Sequence, residues 1–153
     1  MRKAALCMAA VLTLFLKSAP GAADDSYAIS KTDASLTAGT QGKASVTISA
    51  QKGWHLNAEA PLTLKVVPAA GVAVDKAKLG RGDLAVSNET TARFDIGLTA
   101  SEPGKTAVEA EAGFVLCQES ACRPIKEKLT LAVEAAAPAA PGAPAGKRPG
   151  KKK

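Results

Sequence analysis

Apolar and polar side chains alternate along several short segments of this chain. In the run from Ala92 to Leu98, for example, Phe94, Ile96 and Leu98 fall on one face. Successive side chains of a β-strand point to opposite faces of the sheet, so this alternation is typical of half-buried strands. The same reasoning predicts strands over residues 43–50, 62–67, 106–116 and 127–133, with a short strand at 71–74.

Glycine and proline separate these segments, and helical periodicity is almost absent between them. Short strands at regular spacing, with turn residues between them, indicate an all-β protein. We expect an immunoglobulin-like antiparallel β-sandwich of about seven or eight strands. Trp54 is expected to anchor its core, because large aromatic side chains are mostly buried.

The two ends of the chain do not have the composition of a packed domain. Residues 1–23 have a basic start, an apolar run and then small residues, which predicts a secretory signal peptide cleaved after Ala23. An uncleaved anchor is the alternative. Residues 135–153 contain no large apolar side chain, so we expect a disordered Ala/Pro-rich tail with a basic end. The β-sandwich domain is therefore expected at residues 24–134, in a periplasmic or secreted protein.

The net charge of +6 comes from these ends. The signal peptide holds three Lys/Arg and the tail five, so 12 of the 20 remain in residues 24–134 against 14 Asp+Glu. A slightly acidic domain gives no electrostatic support for nucleic-acid binding. The tail is a candidate contact for anionic lipid or polysaccharide surfaces, and the alternative is a solubilising terminus.

Cys117 and Cys122 are the cysteines that remain once the signal peptide, which carries Cys7, is removed. An even count in an oxidising compartment predicts a disulfide. The pair flanks a polar four-residue connection between two predicted strands. A hairpin there brings the two Cα atoms within the roughly 4.4–6.8 Å that a disulfide requires.

Three interpretations of the pair stay open. As a structural staple, a six-residue loop adds only about 2 kcal/mol on the chain-entropy model, because the turn already holds the ends together. As an exchanging dithiol at an accessible turn, it would be modulated by Arg123, which favours the thiolate, and by Glu119, which opposes it. With His55, the single histidine, Cys117 and Cys122 would make a copper or zinc site.

Other chemistry has little support in the sequence. One histidine leaves most hydrolase mechanisms without their usual base, and no Gly-rich phosphate loop is present. The Arg81-Gly82-Asp83 tripeptide is interpreted as a chance match in a surface loop. We expect no cofactor.

Two segments, KGWHLNAEAP at residues 52–61 and LCQESACRP at 116–124 followed by KLTL at 128–131, resemble a known domain. The domain is the amino-terminal domain of the thiol:disulfide interchange protein DsbD family. Cys117 and Cys122 match the redox pair of that family. His55 and Asn57 match a family pattern to which we assign a structural role.

The resemblance implies an immunoglobulin-like periplasmic domain that passes electrons from a thioredoxin-like or membrane-embedded thiol reductant to exported thiol proteins. Such an activity is of the protein-disulfide reductase type. The family's membrane-embedded and thioredoxin-like parts have no counterpart here, so we expect separate partners. Residues 83–87, which correspond to a shielding loop with aromatic residues in some relatives, hold no aromatic. The alternative function is a non-catalytic interaction domain with a structural disulfide.

Overall fold

A computed structural model describes residues 25–139, and these form two β-sheets packed face to face. The predicted signal peptide and residues 140–153 of the predicted tail lie outside the described residues. No helix within residues 25–139 is long and apolar enough to cross a membrane. The elements in chain order are β1 Tyr27–Thr32, β2 Ala34–Thr37, β3 Gln41–Ala50, β4 His55–Leu56, β5 Thr63–Val67, β6 Val72–Val74, β7 Lys78–Leu79, a 3₁₀ turn Arg81–Asp83, β8 Leu84–Ser87, β9 Thr91–Ala100, β10 Gly104–Gln118 and β11 Ala121–Ala136.

The strands divide into a five-stranded and a six-stranded sheet. The first has the order β1-β3-β9-β6, with β8 also paired to β9. The second has the order β2-β11-β10-β5-β7, with β4 also paired to β10. All of these pairs are antiparallel except β2 with β11. The predicted fold class, an immunoglobulin-like β-sandwich, is confirmed. The strand count is higher than expected. Part of the excess is β4, β7 and β8, which are only two to four residues long and so show no alternation in the sequence.

The inner faces of the two sheets make the core, and period-two alternation decides which side chains they contribute. The predicted inward face of β9 is confirmed, since Phe94, Ile96 and Leu98 are each at most 1% exposed. From the other sheet, β10 buries Phe114 and Leu116 against them. Burial of these side chains drives the sheets together through the hydrophobic effect.

Trp54 is half-buried at the margin of the core, not inside it as the sequence predicted. It follows a turn in which Lys52 and Gly53 both have positive φ, 54° and 79°. This tight turn leads directly into the two-residue strand β4 and leaves the indole at the end of the sandwich. Its ring packs against the Arg123 guanidinium, whose central carbon lies 4.8 Å from the ring centroid.

The last strand runs to Ala136, two residues beyond the expected end of the domain at Glu134. Ala135 pairs with Leu36 of β2 and is 7% exposed. An alanine has too little apolar surface to indicate a strand by itself. Here Ala135 and Ala136 form a strand because β2 offers them a parallel pairing partner, which the Ala-rich composition does not predict.

Candidate redox site

Cys117 and Cys122 are bonded to each other in the β10–β11 hairpin. Strand pairing continues past them to Gln118 and Ala121, so the turn has two residues and not the four expected from the sequence. The cysteines are direct cross-strand partners with Cα atoms 4.0 Å apart, slightly closer than the range expected from the sequence. This spacing is nearest that of a non-hydrogen-bonded antiparallel pair, in which opposite side chains lie closest.

The two sulfurs of this disulfide belong to residues of very different exposure. Cys117 is 4% exposed, whereas Cys122 is exposed. The cause is the position of each strand in its sheet. Cys117 lies on β10, which pairs with β11 on one side and with β4 on the other, where His55 is its partner. Cys122 lies on β11, whose pairing with β2 covers only Val133–Ala136 in the described chain.

Asn57 directs its side-chain amide at the buried sulfur. Its Nδ2 lies 3.2 Å from Cys117 Sγ and donates a hydrogen bond to it. Its backbone N–H donates to Val115 O at 2.9 Å, which continues the β4–β10 ladder by one residue and places Asn57 beside Cys117. The structural role predicted for Asn57 does not include this contact with one of the two disulfide sulfurs.

The orientation of this amide follows from its oxygen. Asn57 Oδ1 accepts hydrogen bonds from the backbone N–H groups of Glu59 at 2.8 Å and Ala60 at 3.0 Å. An asparagine that caps the next backbone amides in this way forms an Asx turn. Because the oxygen is engaged by two donors, the NH₂ group is the end that faces the sulfur. We call the segment Asn57–Ala60 the Asn57 loop.

Arg81 binds the same loop from the 3₁₀ turn. Its Nε donates to Ala60 O at 2.9 Å, and its Nη2 donates to Asn57 O. The turn itself is held by Asp83, whose Oδ2 accepts from the Gly80 N–H at 2.8 Å. A hydrogen bond from Lys76, 2.6 Å from Asp83 Oδ1, is the main cause that lowers the pKa of Asp83, followed by the Gly80 N–H.

The expected modulators of the thiols are placed less favourably than the sequence suggested. Arg123 follows Cys122 in the same strand, so its side chain points to the opposite face, where it contacts Trp54 and donates to Ser26 Oγ. Its charge is therefore directed away from the sulfurs. Glu119 is exposed in the turn, where water screens its charge.

The structure does not bring His55, Cys117 and Cys122 together as the ligands of a copper or zinc site. Among residues 25–139, no group of three or more His, Cys, Asp and Glu side chains is arranged to hold a metal ion. His55 is opposite Cys117 in the strand register but is exposed. Both sulfurs are joined in the disulfide, and thiolates are the form of cysteine that binds zinc or copper.

The Asn57–Arg81 arrangement is what sequence reasoning missed. The asparagine three residues before Ala60, in a segment that ends at Pro61, is a signal for an Asx turn. Nothing in the sequence indicates that this turn lies against Cys117, because the contact joins residues 60 positions apart. The sequence likewise gives no sign that Arg81, in the Arg81-Gly82-Asp83 tripeptide, binds the Asn57 loop.

No known protein family model and no curated protein matches this chain. Two solved structures resemble its fold. AggA, the major subunit of aggregative adherence fimbriae type I from Escherichia coli, has a TM-score of 0.39 at 10% identity, over 72% of this chain and 94% of that one. The ASH/PapD-like domain 7 of human CEP192 has a TM-score of 0.39 at 12% identity, over 84% of this chain and 97% of that one. At such identities the likeness concerns the fold alone.

Proposed function

We propose that this protein is an exported thiol–disulfide exchange module in which Cys122 is the sulfur that reacts with partners. The observation that carries the proposal is the unequal exposure of the two cysteines, 4% for Cys117 against an exposed Cys122. Exchange passes through a mixed disulfide, so one sulfur must be within reach of a partner's thiolate. A partner reaches Cys122 without moving any strand.

The exchange begins when a thiolate of a reduced partner attacks Cys122 Sγ. A bond forms between the two proteins, the Cys117–Cys122 bond breaks, and Cys117 leaves as a thiolate. The partner's second thiolate then attacks the partner's first sulfur, which is bonded to Cys122 in the mixed disulfide, and the Cys122 thiolate is released. The partner's dithiol is thereby oxidised to a disulfide, and this pair is reduced by two electrons. The reverse sequence reduces a disulfide in an exported protein.

The resemblance to the DsbD amino-terminal domain supports the same assignment, because its two segments contain both cysteines and Asn57. It points to a thioredoxin-like or membrane-embedded reductant as the electron donor and to exported thiol proteins as acceptors. The predicted signal peptide at residues 1–23 agrees with a periplasmic or secreted location. Exchange of this kind is the chemistry of a protein-disulfide reductase.

A structural disulfide in a non-catalytic domain is the competing function. The bond spans five positions and joins residues that the hairpin already holds opposite each other. On the chain-entropy model it restricts the unfolded chain by only about 2 kcal/mol. A bond that adds so little to stability, and in which one of the two cysteines is exposed, is better placed for exchange than for stapling.

The redox equilibrium of the pair against glutathione tests the proposal. We expect the chain from Asp24 onward to have a reduction potential between about −120 and −270 mV, the range of thioredoxin-family proteins. The reduced and oxidised forms are separated by alkylation of free thiols before and after equilibration. A potential below about −300 mV, or reduction only after unfolding, would mean that the bond is structural.

Single-cysteine variants test which sulfur reacts. Cys117→Ala leaves the exposed Cys122 thiol, and Cys122→Ala leaves the buried one, so the two form a matched pair. We expect Cys117→Ala to react with an aromatic disulfide reagent at least about tenfold faster, because access controls thiol reactivity. It should also capture a partner as a mixed disulfide. Equal rates for the two variants would contradict the assignment of Cys122.

A further inference from the structure

We propose that Asn57 is a catalytic residue of the exchange, that it stabilises Cys117 as the departing thiolate, and that Arg81 is the residue that positions it. The inference rests on the proposed function, since it assigns roles within the same site. Asn57 Nδ2 lies 3.2 Å from the sulfur that leaves when Cys122 is attacked.

The hydrogen bond gains strength as the disulfide breaks. A disulfide sulfur is a weak acceptor, whereas a thiolate carries a full negative charge and makes a charge-assisted hydrogen bond. Cys117 is 4% exposed, so water does little to stabilise that charge. A fixed donor at this position therefore favours the reduced, ionised pair over the disulfide.

Two consequences follow for the reaction. A leaving thiol of lower pKa departs faster, so the donor speeds the attack on Cys122. Stabilising the reduced form also raises the reduction potential of the pair, so that it accepts electrons more readily. The same amide thus acts on both the rate and the equilibrium of the exchange.

The amide is held in position before the reaction begins. The Glu59 and Ala60 N–H groups bind Oδ1, and the Asn57 N–H binds Val115 O. Any rotation that turned Nδ2 away from Cys117 would break the two bonds to Oδ1. A donor that is already oriented needs no rearrangement when the charge appears.

Arg81 does not contact either sulfur, and it acts through the Asn57 loop. Its guanidinium donates to the carbonyl oxygens of Asn57 and Ala60, the first and last residues of the loop. The planar guanidinium reaches both acceptors at once, which the single ammonium group of a lysine does not reproduce. Arg81 therefore holds both ends of the loop in the conformation that directs Asn57 Nδ2 at Cys117.

Asn57→Asp removes the donor and places a like charge beside the thiolate while it keeps the loop, so an unchanged Cys117 thiol would exclude the contact. Aspartate keeps the oxygen that accepts from Glu59 and Ala60, so the Asx turn is retained, but it replaces the donor with a negative oxygen. We expect the equilibrium constant for reduction by glutathione to fall by about tenfold or more, since a hydrogen bond to a charged group is lost. We also expect the Cys117 thiol, measured in a Cys122→Ala background, to titrate at higher pH. His55 and Glu119, the nearby titratable groups, are the same in both proteins.

Arg81→Lys and Arg81→Ala provide the second test. Both should change the same two readouts in the same direction as Asn57→Asp but by less, with Arg81→Ala the stronger. In combination with Asn57→Asp, Arg81→Ala should cause little further change, because the two residues act through one contact. If Asn57→Asp does not fold, Arg81→Ala still reports on the Cys117 thiol with Asn57 in place.

The outcomes distinguish this inference from the proposed function. A wild-type pair that equilibrates with glutathione while Asn57→Asp leaves both the equilibrium and the Cys117 titration unchanged overturns the role of Asn57 alone. An unchanged Cys117 titration in Arg81→Ala overturns the positioning role. If the wild-type disulfide resists reduction until it unfolds, the proposed function fails. The thiol titration in the Cys122→Ala background then still decides whether Asn57 stabilises a thiolate.

Discussion

At the scale of single residues, the site depends on the face of the sheet to which each side chain points. Cys122 and Arg123 are neighbours in the sequence but point to opposite faces of β11. Asn57 is far from Cys117 in the sequence, yet its side chain contacts the sulfur. Proximity along the chain is therefore a poor guide to which groups influence this disulfide.

The position of Arg123 leads to a prediction. We expect Arg123→Gln to lower the free energy of unfolding by about 1 kcal/mol, because its stacking on Trp54 is lost. The glutathione equilibrium of the cysteine pair should stay within about twofold of wild type, since the charge faces away from the sulfurs. Urea unfolding and thiol alkylation measure the two quantities.

Lys105→Gln is the matched control, because it removes the same charge from a surface pair with Glu134 in which the lysine side chain is 80% exposed. It should change neither quantity appreciably. A shift of several-fold in the redox equilibrium in Arg123→Gln but not in Lys105→Gln would mean that Arg123 acts on the thiolate after all.

The sequence could predict the cysteine pair but not the inequality of its two members. Pairing follows from the count of cysteines and the hairpin around them. The burial of Cys117 depends instead on β4 and the Asn57 loop, which pack against β10 only in the folded chain. The sequence places Arg123 next to Cys122 but does not show that its side chain contacts Trp54 on the opposite face of β11. Because the turn has only two residues, Cys122 and Arg123 both lie within strand β11, and their side chains point to opposite faces of it.

At the scale of elements, the 3₁₀ turn Arg81–Asp83 matters most, because it holds Arg81 against the Asn57 loop. The turn has no buried residue of its own, so its order depends on polar contacts. Asp83 provides them by accepting from the Gly80 N–H and from Lys76. The lowered pKa of Asp83 indicates that these contacts stabilise its ionised form.

The lowered pKa of Asp83 makes the stability of the fold depend on pH. A carboxyl whose pKa is lower in the folded state contributes its stabilisation fully above the unfolded-state value, here 3.8, and loses it as the pH falls through the folded-state value. Asp83→Asn should therefore unfold at a lower urea concentration than wild type at pH about 7, and the difference should shrink on acidification below 3.8.

Urea unfolding at several pH values measures this difference. Asp25→Asn, which removes an exposed carboxylate paired with Lys52 outside the turn, is the control for a general change of charge. A gap between wild type and Asp83→Asn that stays constant down to acid pH would show that the ionised carboxylate does not hold the turn.

The long strands and the short strands β5 and β6 could be predicted from the sequence, whereas β4, β7 and β8 could not. β3, β9, β10 and β11 have enough residues for alternation to be visible, and the structure contains all four. β4, β7 and β8 are too short to show a period. They are strands because a long neighbour offers hydrogen-bonding partners, which is tertiary information. The candidate site is built partly from these short elements, so its geometry was not predictable.

At the scale of the whole molecule, the core and the disulfide are separate. The largest fully buried side chains, Phe94 and Phe114 among them, are contributed by both sheets. The disulfide is in one hairpin and joins strands that already pair from Gly104↔Ala135 to the turn. An exchange module must keep its fold in both redox states, and a core that does not depend on the bond meets that requirement.

The final prediction concerns the double variant Cys117→Ala/Cys122→Ala. It should remain folded and lose about 2 kcal/mol of unfolding free energy, because a six-residue loop restricts the unfolded chain only slightly. For comparison, Phe114→Ala should cost about 3–5 kcal/mol, since it empties a site that is 2% exposed. Urea unfolding of the three proteins, followed by circular dichroism, measures both losses. If the double variant is unfolded, or loses more than Phe114→Ala, the disulfide is structural, because the reduced state would then not persist long enough to pass electrons on.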